Sequence, residues 1–167
     1  MPTKKELSVN NIRELKPLNT RTIDKKWEDD NEHINISFYM DCYNQSGWPM
    51  FELLGIDKDY FAERKMGVVD LENHIHYWRE LHVDNKVTTY ARFLNHDKKR
   101  LHGVLFVVND DTNDLSCSIE FLALSIDQNI RKSAPFPDDV INNLSNQVKQ
   151  SLALDWQFPA QLTLGKT

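Results

Sequence analysis

Apolar side chains recur at helical spacing over residues 34–54 and predict one long amphipathic helix. These positions are Ile34, Phe38, Tyr39, Cys42, Tyr43, Met50, Phe51 and Leu54. Pro49 lacks the amide proton that a helix interior needs, so a kink or a new turn is expected there. Gly55 is typical of a residue just past a helix end. A second amphipathic pattern follows SAPFPDD, where Asp138 or Asp139 suits the helix N-terminus.

Long runs of β-branched and aromatic residues, separated by polar turns, follow the first helix. They predict strands at residues 68–81, 87–95, 101–109 and 115–127, after a first strand at residues 20–27. Short polar connections imply that consecutive strands form antiparallel hairpins. Strands of about a dozen residues exceed the usual length and favour strong curvature. The order of elements predicts an α+β fold, in which a curved antiparallel sheet wraps round one long central helix.

The ends of the chain are more polar than this centre. Residues 1–18 are polar up to Pro17 and are expected to form a leader or an edge segment, with the core at about residues 19–152. Residues 156–167 are expected to be extended. A length of 167 residues is most simply one domain with a sizeable core, so a single domain over residues 1–167 is predicted.

Composition and charge narrow the class of protein. Hydrophobic residues make up 40% and charged residues 27%, as in ordinary globular proteins. The net charge of −5 argues against a nucleic acid partner, because binding phosphates requires a basic face. No apolar stretch is long enough to cross a bilayer or to form a secretory signal, so no membrane partner is expected. Cys42 and Cys117 are too few for a disulfide framework, which favours reduced thiols in a cytoplasmic protein.

A dense polar cluster, WEDDNEHIN, stands directly before the central helix. A helix N-terminus offers unpaired N–H groups, which can hold a carbonyl oxygen that gains negative charge during acyl transfer. A carboxylate there can act as general base or nucleophile, an amide can orient water, and an imidazole can move a proton. Helix capping explains the same residues more simply, since Asp30, Asn31 or Asn35 can complete the helix. Spacing alone leaves both explanations open.

The motif Asp-x-Asn-x-His-x-Asn at residues 29–35, followed by Phe38 and Tyr39, resembles the signature of hotdog-fold acyl thioesterases. The stretches ENHIHYWREL, LNHDKKRLHGVLFVV and IRKSAPFPDDVINNL resemble one branch of the 4-hydroxybenzoyl-CoA thioesterase-like superfamily, which contains betainyl-CoA and carnitinyl-CoA thioesterases. The resemblance covers most of residues 20–145. It implies an α+β hotdog fold and an acyl-CoA thioesterase that hydrolyses a small acyl-CoA, with betainyl or a related carnitine-derived group as the specific expectation.

The resemblance also implies roles for individual residues. Asp29 would be the catalytic carboxylate, with Asn31 and His33 as the assisting amide and imidazole. Asn35 would lie just inside the helix, in a structural role or in contact with the substrate. Glu32 departs from the pattern, which usually has glycine there for close backbone approach or an unusual backbone angle. The alternative is therefore a non-catalytic hotdog module that binds an acyl-CoA or a small polar ligand.

Partners and cofactors follow from the same resemblance. It implies an acyl-CoA substrate and a homodimer or dimer of dimers with active sites at the interface between protomers. No metal and no cofactor are expected, because coenzyme A enters only as part of the substrate. A small-ligand carrier of another α+β architecture is a further alternative.

Several residues are candidates for a substrate pocket. His74 and His76 share one strand face with Glu72, Trp78 and Glu80. They are expected to line a polar acyl or headgroup pocket, with a solvated strand face as the alternative. A zinc site is disfavoured because no third ligand is near in the sequence. Trp48, Tyr77 and Trp78 could form a cage for a quaternary ammonium group, although a place in the core is the preferred explanation.

Two charged features remain open. Glu120 interrupts an apolar strand, and a buried carboxylate there would suggest contact with the ligand or with His33. An exposed Glu120 would carry no such meaning. Basic residues at positions 98–100 and 131–132 could contact the phosphates of coenzyme A, or could simply be solvated.

Overall fold

The computed structural model describes residues 6–165. Its helices and strands, in chain order, are α1 Val9–Ile12, β1 Pro17–Thr22, α2 Ile36–Glu52, α3 Lys58–Ala62, β2 Met66–Tyr77, β3 Lys86–His96, β4 Arg100–Asn109, β5 Asp114–Asp127, β6 Lys132–Ser133 and α4 Asp138–Ala153. The strands form one antiparallel sheet in the order β1-β3-β4-β5-β2, with the short β6 paired to β5. Strands β1 and β2 are therefore the two edges of the main sheet.

The central helix lies close to its predicted bounds. Asn35 caps it, so α2 begins at Ile36, two residues after the predicted start. The helix continues through Pro49 and ends at Glu52. Gly55 follows with a φ of 71°, a left-handed backbone angle that glycine adopts without steric cost. The helix and the glycine just past its end were thus both foreseeable from the apolar spacing.

The strands deviate from prediction mainly at the edges of the sheet. Strand β1 starts at Pro17 rather than at residue 20, and Lys25–Trp27 form a turn of 3-10 helix capped by Asp24. The expected hairpin between β2 and β3 is wrong, because β2 crosses the sheet and pairs with β5. The sequence could not predict this pairing, because the long connection between β2 and β3 does not force these two strands to pair with each other.

The main core fills the concave side of the sheet, which wraps round α2 as predicted. Phe38 and Cys42 of α2 belong to the same buried cluster as Ile119 and Phe121 of β5. Gly103 leaves room for this packing, since a Cβ atom there would lie 2.5 Å from the Phe121 ring. Burial of apolar area is the main stabilising term for such a layer.

A second buried cluster covers the convex side of the sheet. Its members are Ile12, Tyr90, Val104, Phe106, Val108 and Trp156. Residues 6–18 therefore belong to the packed structure rather than to a polar leader, and residues 1–5 lie outside the described residues. Packing extends beyond the predicted core boundaries of 19 and 152 at both ends.

Arg92 ties the end of α4 to the sheet. Its Nε donates to Ser151 Oγ at 2.7 Å and its Nη2 donates to the Ser151 carbonyl at 2.8 Å. The guanidinium also lies 4.0 Å from the centre of the Trp156 ring. Burial lowers the pKa of Arg92. Asp138 and Asp139 occupy the first turn of α4, as the sequence predicts.

Candidate functional site

The polar cluster before α2 folds into a tight loop that closes on itself. Glu28 and Ile34 form an isolated β-bridge, and the Asp29 amide donates to the His33 carbonyl at 2.8 Å. The Asp29 carboxylate accepts hydrogen bonds from the amides of Asn31 at 2.8 Å and His33 at 3.4 Å. The loop thereby holds one carboxylate shortly before the N-terminus of α2, a helix with one buried face.

Asn35 supplies the helix cap. Its Oδ1 accepts from the Ser37 amide at 2.9 Å and from the Ser37 hydroxyl at 2.6 Å. Of the three residues that could have capped the helix, Asn35 is thus the one that does so. This is a structural role, which was one of the two roles expected of Asn35. The carboxylate of Asp29 is not needed for this purpose.

Glu32 has a left-handed backbone, with a φ of 61°. This is the position at which the thioesterase motif usually has glycine. An L-residue with a side chain is strained in this region because its Cβ approaches the following carbonyl oxygen. The unusual backbone angle that glycine would provide is therefore retained here by a glutamate, at an energetic cost.

We expect Glu32→Gly to raise the free energy of unfolding by about 1 kcal/mol, because glycine adopts a positive φ without steric strain. Denaturant unfolding of both proteins measures the difference. Asp30→Gly is the matched control, since Asp30 lies in the same loop without a positive φ; its only effect should be the entropic cost of glycine. A Glu32→Gly protein less stable than the parent would contradict the interpretation that the Glu32 backbone is strained.

A cleft of about 670 Å³ opens beside this loop. His33 and the helix residues Ile36 and Tyr39 form one wall, and residues 77–82 form another. Burial raises the pKa of Tyr39, so its phenol remains a hydrogen-bond donor at neutral pH. Asp29 and Asn31 do not line the cleft themselves, and Asp29 is joined to it through its hydrogen bonds to His33.

Glu80 was expected on the strand face of His74 and His76, but β2 ends at Tyr77 and Glu80 instead lines this cleft. Its Oε2 lies 3.4 Å from His33 Nε2 and 4.0 Å from His82 Nε2. The loop after β2 carries both residues, and its Leu81 carbonyl accepts a hydrogen bond from the Ile34 amide at 3.3 Å. The Glu-x-His pattern of Glu80 and His82 was the signal available in the sequence. Only the fold places these two residues close to His33.

His74, His76 and Trp78 lie together, as predicted. The His76 and Trp78 rings stack with their centres 4.0 Å apart, and Trp78 Nε1 donates to Ser118 Oγ at 3.0 Å. These residues line a cavity of about 320 Å³ with Phe158, Pro159 and Gln161. Only Trp78 also borders the cleft beside His33. The two histidines are thus set apart from the candidate catalytic loop.

Glu120 is buried, with an exposed fraction of 1%, and its protein partners do not include His33. It lies 2.7 Å from His102 Nε2 and accepts from the amides of Gln161 at 2.8 Å and Leu162 at 2.9 Å. His74 Nδ1 is 3.9 Å away. The expected contact with His33 is wrong, because Glu120 alternates with Ile119 and Phe121, which face α2 on the other side of the sheet.

The three aromatics proposed as a cage do not assemble. Trp48 packs on Phe61 with ring centres 5.5 Å apart, whereas Tyr77 packs on Tyr39. Nor do they lie in the core, because Trp48, Tyr77 and Trp78 have exposed fractions of 48%, 46% and 36%. Neither explanation of these residues holds.

Basic residues gather far from the cleft. A groove of about 490 Å³ is lined by Lys98, Lys99 and Arg100 at the start of β4, whereas the cleft includes Asn109 at its end. Nine residues of strand separate the two by roughly 30 Å. Arg100 is also paired with Asp97 at 2.6 Å. Within one protomer these cations do not adjoin the cleft.

Other predicted classes of site can be compared with residues 6–165. In that range no three side chains of His, Cys, Asp or Glu converge as metal ligands, and no helix has the length and apolarity that crossing a membrane requires. Both cysteines are buried free thiols. Burial raises the pKa of Cys42 to about 12 and also raises that of Cys117.

Comparison with known proteins agrees with this architecture. The family model described as the thioesterase-like superfamily matches residues 23–144. The chain is 24% identical over 149 residues to an L-carnitine dehydrogenase/betainyl-CoA thioesterase of Rhizobium, covering 84% of this chain but only 28% of that protein. It is 23% identical over 116 residues to a betainyl-CoA thioesterase of Pseudomonas aeruginosa, covering 70% of this chain and 73% of the relative.

Solved structures share the fold. The Staphylococcus aureus protein SAV2348, solved in complex with CoA, superposes with a TM-score of 0.78 at 20% identity, covering 90% of this chain and 97% of that one. A 1,4-dihydroxy-2-naphthoyl-CoA thioesterase from Synechocystis superposes with a TM-score of 0.67 at 9% identity, covering 77% and 94%. The α+β hotdog fold is thereby confirmed.

Proposed function

Because the chain belongs to the thioesterase-like superfamily, we propose that it is an acyl-CoA thioesterase. One observation carries the proposal: the Asp29 carboxylate is held by its own loop shortly before α2, and the same loop places His33 in a cleft. The cleft volume of about 670 Å³ lies within the range typical of small-molecule sites.

Asp29 acts as general base toward water or as the nucleophile on the thioester carbonyl. The start of α2 stabilises the oxyanion through its partial positive charge and through an N–H group other than that of Ser37, which the Asn35 side chain caps. His33 serves as a hydrogen-bond donor or proton carrier in the cleft, and Glu80 orients its ring. The Asn31 amide positions water. Coenzyme A enters only as part of the substrate, so no cofactor is required.

The relatives give the best specific expectation for the acyl group. Two of the proteins that this chain resembles carry betainyl-CoA thioesterase in their names. We extend this to a betainyl or related carnitine-derived acyl group here. A cytoplasmic location suits both an acyl-CoA substrate and two free thiols.

A second copy of the chain completes the site in our proposal. Strand β2 is an edge of the main sheet, and its Val69 and Leu71 have exposed fractions of 39% and 49%. Ile36, 66% exposed, and Tyr77 add apolar surface where the cleft opens. An exposed apolar edge strand invites pairing with another strand. A homodimer built on this edge would place two clefts beside its interface.

The alternative function is a non-catalytic module that binds an acyl-CoA or a small polar ligand. One observation favours it: Asp29 Oδ1 is already engaged by two loop amides, so the carboxylate also has a structural purpose. In that case Glu32 and Asp29 would serve only to shape the loop.

A thiol-release assay separates the two functions. The purified protein is tested against a panel of acyl-CoA thioesters that includes short, aromatic and betainyl groups. Turnover of any member supports a thioesterase, and the preferred member names the acyl class. Thermal stabilisation by these compounds without thiol release would support the binding module instead.

A further inference from the structure

A cavity of about 260 Å³ lies beside the part of β3 that β1 leaves uncovered. Strand β1 pairs with β3 only as far as Tyr90, and beyond that residue α4 packs along β3 instead. Residues 14–16, residues 91–93, Leu53 and one face of α4 line the cavity. We call it the Arg92 cavity, after the buried cation in its lining.

Arg92 brings a buried positive charge to this lining, with an exposed fraction of 4%. Besides the two hydrogen bonds to Ser151, its Nη1 donates to the Trp156 carbonyl at 3.2 Å. These three acceptors are all neutral oxygens. Burial lowers the pKa of Arg92, whereas the Asp139 carboxylate raises the pKa of Arg64. Within residues 6–165 no carboxylate neutralises the Arg92 guanidinium.

The Arg92 guanidinium retains the capacity to bind an anion. An arginine has five N–H groups, and the three hydrogen bonds above leave two of them without an acceptor among residues 6–165. A buried charge is costly unless it is paired, so an anion in this cavity would relieve a cost that the folded protein already bears. The planar fork of an arginine matches the two oxygens of a carboxylate.

The rim of the cavity also favours an anion over a cation. Lys16 and Glu14 line the cavity from exposed positions, so together with Arg92 the lining carries one net positive charge. Gln147 and Gln150 add side-chain amides from α4, which can donate hydrogen bonds to an oxygen. An anionic head group is therefore better matched to this lining than a cationic one.

The rest of the lining is apolar. Leu15, Leu53 and Leu154 contribute aliphatic side chains, and Ala91 and Phe93 contribute apolar surface from β3. At the roughly 30 Å³ that a water molecule takes in the liquid, 260 Å³ holds about eight or nine non-hydrogen atoms. The cavity therefore suits a small ligand with a charged end and an apolar end.

We propose that the Arg92 cavity binds a short aliphatic carboxylate of about six carbon atoms. The carboxylate accepts hydrogen bonds from Arg92 and from the donors at the rim, and the alkyl chain contacts the leucines. Hexanoate is an acid of this size. Inorganic phosphate carries charge but has no alkyl chain to contact the apolar part of the lining.

The Arg92 cavity is separate from the cleft beside His33. The two share no lining residue. Ile36 begins α2 and Leu53 follows its last residue, and the 17 residues of this helix correspond to roughly 25 Å of rise. Binding at the Arg92 cavity does not require that the protein hydrolyse a thioester. Failure of one proposal therefore leaves the other standing.

Hexanoate and hexanamide are a matched pair of probes, because they have the same shape and only hexanoate is charged. In isothermal titration calorimetry, hexanoate should bind roughly tenfold more tightly than hexanamide. Inorganic phosphate should bind more weakly than hexanoate, since it gains nothing from the leucines. Equal binding of hexanoate and hexanamide, no binding of hexanoate, or tighter binding of phosphate would overturn the proposal.

Exposed residues of the rim locate the site without disturbing the core. Lys16→Gln removes a positive charge and should weaken hexanoate binding roughly threefold, whereas Glu14→Gln removes a negative charge and should strengthen it roughly threefold. Gln150→Glu should weaken binding by a similar factor. Asn142→Asp, the matched control, adds the same charge at an exposed position of α4 outside the lining. Equal effects of Gln150→Glu and Asn142→Asp, or effects of the Lys16 and Glu14 variants in the same direction, would contradict the proposed site.

Arg92→Lys tests the buried cation itself. Lysine keeps the positive charge but lacks the planar fork, so hexanoate binding should weaken roughly tenfold. Arg92 also ties α4 to the sheet, so the thermal midpoint of this variant is measured alongside its binding. If the variant does not fold, the rim variants decide the question. A folded Arg92→Lys protein that binds hexanoate like the parent would show that Arg92 does not hold the carboxylate.

Discussion

We expect Asp29→Asn to lower kcat for acyl-CoA hydrolysis by roughly 10²- to 10⁴-fold, the usual contribution of a general base. The asparagine retains an oxygen that can accept from the amides of Asn31 and His33, so the loop keeps its shape. It loses the negative charge and the basicity that activate water. The thiol-release assay on the preferred acyl-CoA measures the effect.

Asp30→Asn and Asp29→Ala complete this experiment. Asp30 is an exposed carboxylate in the same loop, and its loss should leave kcat nearly unchanged. Asp29→Ala removes both the charge and the acceptor, so it should lose activity and also loosen the loop. Full activity in Asp29→Asn together with loss in Asp29→Ala would show that Asp29 serves only to shape the loop.

Glu120→Ala should lower the free energy of unfolding by about 3 kcal/mol or more. The substitution leaves two backbone amides and the His102 ring without their buried acceptor, and each such group costs about 1–3 kcal/mol. Typical domains are stable by only about 5–15 kcal/mol, so this is a large fraction. Denaturant unfolding monitored by tryptophan fluorescence measures the change.

Hydrogen exchange shows whether the loss arises where it is expected. The amides of Gln161 and Leu162 should exchange much faster in Glu120→Ala, because their acceptor is gone. Glu72→Ala, at an exposed position of β2, should change neither stability nor exchange. A Glu120→Ala protein as stable as the parent would mean that the segment around residue 161 contributes little to the fold.

Local sequence patterns were sufficient to predict the central layer of the fold. The apolar spacing located α2 because half of that helix faces the sheet, and the long runs located β3, β4 and β5. Strand β4 carried a further signal: its continuous apolar run over residues 104–108 is typical of burial on both faces. That run indicates that the convex side of the sheet is covered as well. The motif also placed Asp29 and His33 before the helix, since it is local in sequence.

Long-range pairing could not be predicted in the same way. The bulge between Asp70 and Glu72 shifts the alternation of β2, so Asp70 faces the concave side with Ala123. Without it, strict alternation would put Asp70 on the same face as His74. Helix α1, with four residues, is too short to show a period. The meeting of Glu80 with His33 and of Asp70 with Tyr43 depends on these distant contacts.

The covered convex face has a consequence for biosynthesis. Val104, Phe106 and Val108 are buried by α1, made early, and by residues around Trp156, made long after β4. Until Trp156 is synthesised, a nascent sheet would expose part of this apolar face to solvent. Contacts between segments so distant in sequence form slowly, and exposed apolar strands of this kind favour aggregation. Chaperones should therefore bind the nascent chain most strongly just before the segment that contains Trp156 emerges from the ribosome.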